Sequence, residues 1–364
     1  MRWVPTRDGR RFDLVALGEV MLRLDPGDSR IATTRSFNVW EGGGEYNVAR
    51  ALSWVFGLET AVVTALVDNE VGRLIEGLIA QGGVDRSFVT RRPFDGIGGE
   101  ARNAINFVER GFGVRAALSC ADRAHSATSQ LVLGDVDWSA VFNSGVRWFH
   151  TGGVFASLSP TTAEIARDAL MAARAAGIVT SFDLNYRSSL WAHRGGVQAA
   201  SELNRELAGF VDVLFGNQED FAVRLSRGGA QPDSQRARDP AAARKVLEEL
   251  RAELPATRVF AATLRDATSA SRNYWTAIAV DQDGFYVGAE HPQLEIYDRV
   301  GGGDSFASGL IFGLLDGRSL PHALELGIAH GALAMTTPGD ASMATRAEVE
   351  RLAGNATRPV VVER

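Results

Sequence analysis

An acid, three glycines and a second acid stand directly before an apolar-periodic run. The residues are Asp298-Arg299-Val300-Gly301-Gly302-Gly303-Asp304-Ser305-Phe306, followed by Leu310, Ile311 and Leu314. The periodic run predicts a helix, and the opening of a helix offers unpaired N–H groups and a partial positive charge to an anion. Glycines let the main chain turn with positive φ and approach a ligand closely. Gly301, Gly302 and Gly303 therefore read as a phosphate cradle. A carboxylate in such a place repels phosphate, so Asp304 makes chemical sense as a base that takes a proton from an attacking hydroxyl. The competing reading is an ordinary loop in which Asp304 caps the helix.

The rest of the composition narrows the chemistry. A net charge of −6, with no block of basic residues, gives no footprint for nucleic acid or an anionic membrane. Small-molecule partners are expected. No 18 apolar residues follow one another, and Met1 to Arg11 mixes Arg, Asp and Pro, so neither a membrane span nor a secretory signal is expected. A cytoplasmic enzyme is the default. Cys120 is the only cysteine and Lys245 the only lysine. One thiol makes no intrachain disulfide and no thiolate zinc cluster, and Leu118 and Ala121 beside it predict a buried Cys120. Lys245 lies in a polar helical stretch with no glycine-rich loop before it, which excludes a Walker A loop, a protein-kinase strand lysine and a pyridoxal Schiff base. Phosphate handling must then rest on main-chain N–H groups, arginines and a metal ion. The six histidines show no metal-ligand spacing.

Short apolar, β-branched runs alternate with helical patterns. Strands are predicted at Phe12 to Leu17, Thr60 to Val67, Val146 to His150, Ile178 to Asp183, Val211 to Phe215, Val259 to Thr263 and Thr276 to Val280. Helices are predicted at Asn47 to Phe56, Val71 to Gln81 and Pro160 to Ala176. The alternation implies an α/β fold with a doubly wound, mainly parallel sheet. Ligands collect beyond the carboxyl ends of such strands, which makes Asp183, Asn217 and Thr263 candidates for the site. Two regions, Ser36 to Trp40 and Asn103 to Ser119, read as extended without helices of their own. They predict a small antiparallel sheet acting as a lid, or else an edge hairpin. A polar segment between Leu225 and Asp239 reads as a mobile surface loop.

The Asp298 to Phe306 run resembles the C-terminal signature of the PfkB (ribokinase-like) carbohydrate kinases. Glu41-Gly42-Gly43-Gly44-Glu45-Tyr46-Asn47-Val48-Ala49 resembles their N-terminal Gly-Gly motif followed by Asn-x-Ala. The resemblance implies a ribokinase-like Rossmann-type body over 12–353, with a small β-sheet lid from about 30–44 and 96–120, and terminal extensions at 1–11 and 354–364. It further implies ATP and Mg2+ as cofactors, Asp304 as base, and a monovalent cation such as K+ near Asp298, a residue that reads equally well as a turn-forming Asp. Homodimerisation through the lid also follows from the resemblance. Within the family the chain is most similar to the 2-keto-3-deoxygluconate kinases, through Gly18 to Leu24, through Phe182-Asp183-Leu184-Asn185-Tyr186-Arg187, and through its form of the Asp298 to Asp304 signature.

By that resemblance Gly43, Asn47 and Asn185 line the sugar pocket, although Asn47 could equally cap its helix. Arginine suits a sugar acid because its planar fork grips a carboxylate bidentately, so Arg187 and Arg110 are the expected readers. Structural ion pairs are their alternative role. Asn217 corresponds to the family's Asn-x-x-Glu motif, with Asp220 in place of Glu acting on magnesium through water. Thr263, Arg265 and His330 are placed on the nucleotide side. There the chain departs from its relatives: Thr263 to Arg272 lacks their Leu-Gly-x-x-Gly turn. Either Arg265 takes over as a charge contact or the loop moves on nucleotide binding. The expected reaction is phosphorylation of a primary hydroxyl of a sugar acid. Fructose or a deoxy-keto inositol derivative as acceptor, a non-catalytic sugar-binding regulator, and a dinucleotide oxidoreductase are the alternatives, the last opposed by the absence of GxGxxG after the first strand.

Overall fold

The computed structural model describes residues 3–225 and 239–354. The polar loop expected between Leu225 and Asp239 lies outside the described residues, as does nearly all of the C-terminal extension. In chain order the strands are β1 (Leu14–Leu17), β2 (Met21–Asp25), β3 (Asn38–Gly42), β4 (Thr60–Val67), β5 (Val84–Asp85), β6 (Val89–Arg92), β7 (Ile105–Glu109) and β8 (Leu118–Asp122). They continue as β9 (Trp148–Gly152), β10 (Val179–Asp183), β11 (Val213–Asn217), β12 (Val259–Ser269), β13 (Arg272–Val280), β14 (Phe285–Val287) and β15 (His291–Glu295).

The large sheet runs β14-β13-β12-β11-β10-β9-β1-β4-β5, with β15 on β13 and β6 on β4. From β12 to β5 the pairings are parallel, while β13 to β15 add an antiparallel edge. β1 and β4 are buried at every residue, as strands covered on both faces must be. Leu14 and Ala16 join one core, beneath Phe306, Leu310 and Ile311, while Val15 and Leu17 join the other, beneath Ile165 and Leu170. Helix starts follow local signals: Ser159 closes a capping box before Pro160–Ala175, and Asn69 caps Glu70–Gln81. Lys245 is exposed on the helix Pro240–Glu253.

The helices Gly302–Leu315 and Leu320–Ala334 are buried around nearly their whole circumference. They approach main chain to main chain. A Cβ on Gly309 would stand 2.6 Å from the Leu326 carbonyl oxygen, and one on Gly327 would stand 2.8 Å from that of Phe306.

A second, four-stranded sheet, β3-β2-β7-β8, stands apart from the first. It contains one strand the sequence reading had not assigned to it. The opening strand stops at Leu17, and Met21–Asp25 crosses into the small sheet as its second strand, antiparallel to β3 and parallel to β7. Cys120 corrects a further expectation. β8 is an edge strand exposed at all five residues, so Leu118 and Ala121 are themselves exposed and the thiol is not buried.

The stretch after Thr263 also differs from expectation. β12 runs unbroken to Ser269 and returns as β13, with Thr263 opposite Ala277 and Arg265 opposite Trp275. Leu264 is fully buried, which keeps the strand going where relatives turn.

Candidate active site

The ends of β10 and β11 lie near the mouth of the helix Gly302–Leu315, where the Asp304 and Asp220 charges act on Asp183. Gly301 is its N-cap, at φ 78°, and no side chain caps the first turn. A Cβ on Gly301 would stand 1.9 Å from the Asp340 carbonyl oxygen, so only glycine fits both the left-handed turn and this contact. A Cβ on Gly303 would meet nothing within 4 Å, which leaves that side of the mouth open. The arrangement is the one in which first-turn N–H groups face an anion.

Asp304 lies in this first turn. Asn47 Nδ2 donates to its Oδ2 at 2.7 Å. Asp304 is partly exposed at the helix mouth, and burial first, then Asp340, push its pKa up to about 6, against the Asn47 hydrogen bond and the Arg187 charge. Asn47 does not cap its helix. Gly43 is the N-cap of Gly44–Trp54, and Asn47 N–H already bonds the Gly43 carbonyl one turn in. Among the described residues the amide oxygen of Asn47 is buried without a hydrogen-bond partner. A Cβ on Gly43 would stand 1.9 Å from the Glu19 carbonyl, so this glycine admits the β1–β2 connection. At Gly44 a Cβ would stand 3.2 Å from Asn185 Nδ2 and 3.7 Å from Asp304 Oδ1, which places those two side chains around it.

Asp183 ends β10 and accepts the Asn185 N–H at 3.1 Å, with Asn185 at φ 33°. Its pKa is pushed up to about 8, by burial first and then by the Asp304 and Asp220 charges. Asn217 and Asp220 form a reciprocal capping box at the end of β11: Asp220 N–H donates to Asn217 Oδ1 at 2.9 Å and Asn217 N–H to Asp220 Oδ2 at 3.2 Å. Burial lifts Asp220 to about 6. Arg187 is exposed, donates to the Tyr186 carbonyl and has no carboxylate within ion-pair distance among the described residues. Its charge acts on Asp304, Asp183 and Asp220 alike. Arg265 keeps an exposed face, and its pKa is lowered by burial first and then by Arg299 and Arg187. The charges of Arg187, Arg265 and Arg299 therefore gather near the helix mouth, a place suited to several phosphate charges.

Residues 11–347 match the profile described as pfkB family carbohydrate kinase. The chain belongs to this family of carbohydrate kinases. It is 29% identical over 341 residues to 2-dehydro-3-deoxygalactonokinase of Haloferax volcanii, covering 93% of this chain and 96% of that one. It is 25% identical over 350 residues to 5-dehydro-2-deoxygluconokinase of Shouchella clausii, covering 95% and 97%. The crystal structure of 2-dehydro-3-deoxygluconokinase from Thermotoga maritima superposes with a TM-score of 0.82 at 34% identity, over 94% of this chain and 99% of that one.

One expectation about this carbohydrate kinase needs correction. His330 is fully buried, with Nδ1 3.0 Å from Ser308 Oγ and its ring edge-on to Phe56, so it has no surface to offer a nucleotide. Arg110, on the small-sheet side, stacks over Tyr297 at 4.3 Å and pairs with Asp25 and Asp28. Asp298 is engaged within the protein: Oδ1 accepts the Val300 N–H, and Oδ2 accepts from the guanidinium of Arg23. Magnesium is a different case. No group of three or more His, Cys, Asp or Glu among the described residues is set to hold a metal.

Sequence reasoning missed several groups. Arg123 pairs with Glu19 at 2.6 Å, and its charge reaches Glu45, a wholly enclosed carboxylate lifted to about 7 by burial. Glu45 accepts the Phe155 N–H. The position of Glu45 inside the Gly-Gly motif was the available signal. No helix among the described residues is long and apolar enough to cross a membrane.

Proposed function

We propose that this kinase transfers the γ-phosphoryl group of ATP to a primary hydroxyl of a sugar acid, with 2-keto-3-deoxygluconate as the preferred acceptor. The observation that carries the reading is Asp304, oriented by Asn47 at the open mouth of an uncapped helix with the Arg187 charge nearby. At a pKa of about 6 the carboxyl group is mostly ionised at neutral pH and can accept a proton. It takes the proton of the acceptor hydroxyl as that oxygen bonds to the γ-phosphorus. The bond from γ-phosphorus to the bridging oxygen breaks, and its electron pair leaves with ADP. Main-chain N–H groups of Gly301 to Gly303 stabilise the charge that gathers there, with Arg265 near the outer phosphates; Thr263 and Asn217 border this side. When bound, magnesium supplies charge neutralisation on the phosphates, with Asp220 its outer contact.

Asn47 and Asn185 bond sugar hydroxyls, and Arg187 grips the acid end. The small sheet acts as a lid over the acceptor and pairs with a second copy of the chain in the cytoplasm. A second reading, phosphorylation of 5-dehydro-2-deoxygluconate, is favoured by the Shouchella clausii relative and uses the same residues.

The test is product formation from ATP with 2-keto-3-deoxygluconate, 2-keto-3-deoxygalactonate, 5-dehydro-2-deoxygluconate and fructose, with products identified by NMR. The first is expected to show the highest kcat/KM. Arg187→Ala is expected to raise the KM of the sugar acid by roughly tenfold or more while leaving that of ATP nearly unchanged. Equal rises in both would make Arg187 a structural residue.

A further inference from the structure

Arg23 stands on β2 with no exposed surface and touches three segments at once. Nη1 donates to Asp340 Oδ1 at 2.6 Å, while Nη2 donates to Asp25 Oδ2 at 3.0 Å and to Asp298 Oδ2. Burial works to lower its pKa, but the Asp340 and Asp298 charges outweigh it and hold the guanidinium above its ordinary range. Asp298 opens the loop that ends in Gly301 and Asp304. The main chain of Asp340 lies against Gly301, at the contact only a glycine permits. The buried cation is thus bonded to both segments whose main chains shape the helix mouth.

Three carboxylates taken out of water at one point need a counter-charge, or they repel and the segments carrying them part. A dissolved monovalent ion is one way to provide it, and family resemblance places such an ion at Asp298. Here a side chain already supplies the charge, and Arg110, 3.6 Å from Asp25, adds a second.

We propose that Arg23 is a positioning residue, a built-in counter-ion that holds Asp298 and Asp340 so that the Gly302 and Gly303 N–H groups face the phosphates, and that turnover therefore needs no dissolved monovalent cation. The proposal rests on reading Gly301 to Asp304 as the phosphate cradle. It makes Arg23 the link through which the small sheet and the cradle keep register, since β2 carries the guanidinium into the large domain.

The first test uses the unaltered protein. Binding of a non-hydrolysable ATP analogue with magnesium, and the phosphorylation rate, are measured in tetramethylammonium chloride and in potassium chloride at equal ionic strength. Kd and kcat are expected to agree within about twofold, and a gain of about tenfold or more in potassium would overturn the proposal. That result would leave the cradle reading standing, whereas absence of analogue binding in either salt would sink the cradle reading itself. The second test is Arg23→Ala, expected to lose roughly a hundredfold in kcat/KM. Millimolar guanidinium or potassium is expected to restore part of the loss, and Arg23→Lys to retain most of the activity. A normally melting Arg23→Ala that gains nothing from either cation would overturn the proposal, reducing the residue to packing. If Arg23→Ala does not fold, the salt comparison on the unaltered protein decides alone.

Discussion

Asp304 combines two demands that oppose one another. As the proposed base it must be close enough to polyphosphate to act on the attacking hydroxyl, and it must still lose its proton near neutrality. The Asn47 hydrogen bond and the Arg187 charge offset part of the burial that raises it, leaving a pKa of about 6. The acid limb of kcat/KM is therefore expected near pH 6, with activity rising through that point as the carboxylate forms. Asp304→Asn is expected to bind sugar and ATP while kcat falls by roughly a hundredfold to ten-thousandfold. Pre-steady-state rates on the pure variant would check this, and near-normal turnover would remove Asp304 from the chemistry. Asp183 offers a test through stability. Its folded pKa of about 8 exceeds the ordinary carboxylate value of about 4, so between those limits the native state holds a proton that the unfolded chain releases. Stability from this group is thus full below about pH 4 and is lost as pH rises through about 8. Without ligands, Asp183→Asn should gain melting temperature relative to the parent as pH is raised over that range; a constant difference would show that Asp183 ionises freely. Asp304, Asn47 and Arg187 were legible because each sits in a short motif whose spacing is local. Arg23 was not, since its partners Asp298 and Asp340 lie 275 and 317 positions away. His330 misled for the same reason: Phe56 and Ser308, which bury it, come from other parts of the chain.

Elements position these groups through their ends. β10 and β11 stop at Asp183 and Asn217, and in each case the terminal side chain bonds the main chain two or three residues on. Asn217 closes the helix Gln218–Arg224 reciprocally with Asp220, so the two hold each other in place at the sheet's carboxyl edge. Asn217→Ala is expected to cost about 1 kcal/mol, read as an earlier urea midpoint with an unchanged slope. A stability equal to the parent's would mean that the box is not formed in solution. Apolar runs bounded by turn residues were readable, and β4 falls on the expected Thr60–Val67. The strand after Thr263 was not, because Thr263 to Arg272 carries neither a glycine turn nor a clean apolar alternation. Pairing with β13 carries the strand onward beyond the buried Leu264. β2 escaped notice because Met21 to Asp25 follows β1 after only three residues and looks like its continuation.

At the scale of the molecule, alternating strands and helices made the doubly wound body legible, whereas the small sheet was recognised only in part. Its four strands come from three separated regions, and no sequence period joins them. The turn between β7 and β8 leaves Phe112 mostly exposed and Val114 fully so, while Leu118 is half exposed on the edge strand. Apolar side chains gathered there fit pairing with a second copy through the lid. Sedimentation of the unaltered protein is expected to give a dimer, and Val114→Asp together with Leu118→Asp a monomer; a monomeric parent would remove the assembly from the proposal. Beneath the site, Gly309 and Gly327 let the helix bearing Asp304 rest directly on its neighbour. Two rods in such contact have no cushion of side chains in which to slide or roll. Under the proposed function, the base and its amides thus behave as an anvil, and a poorly seated sugar gains nothing from adjustment below it. Discrimination among acceptors would then fall to the residues that face the helix mouth.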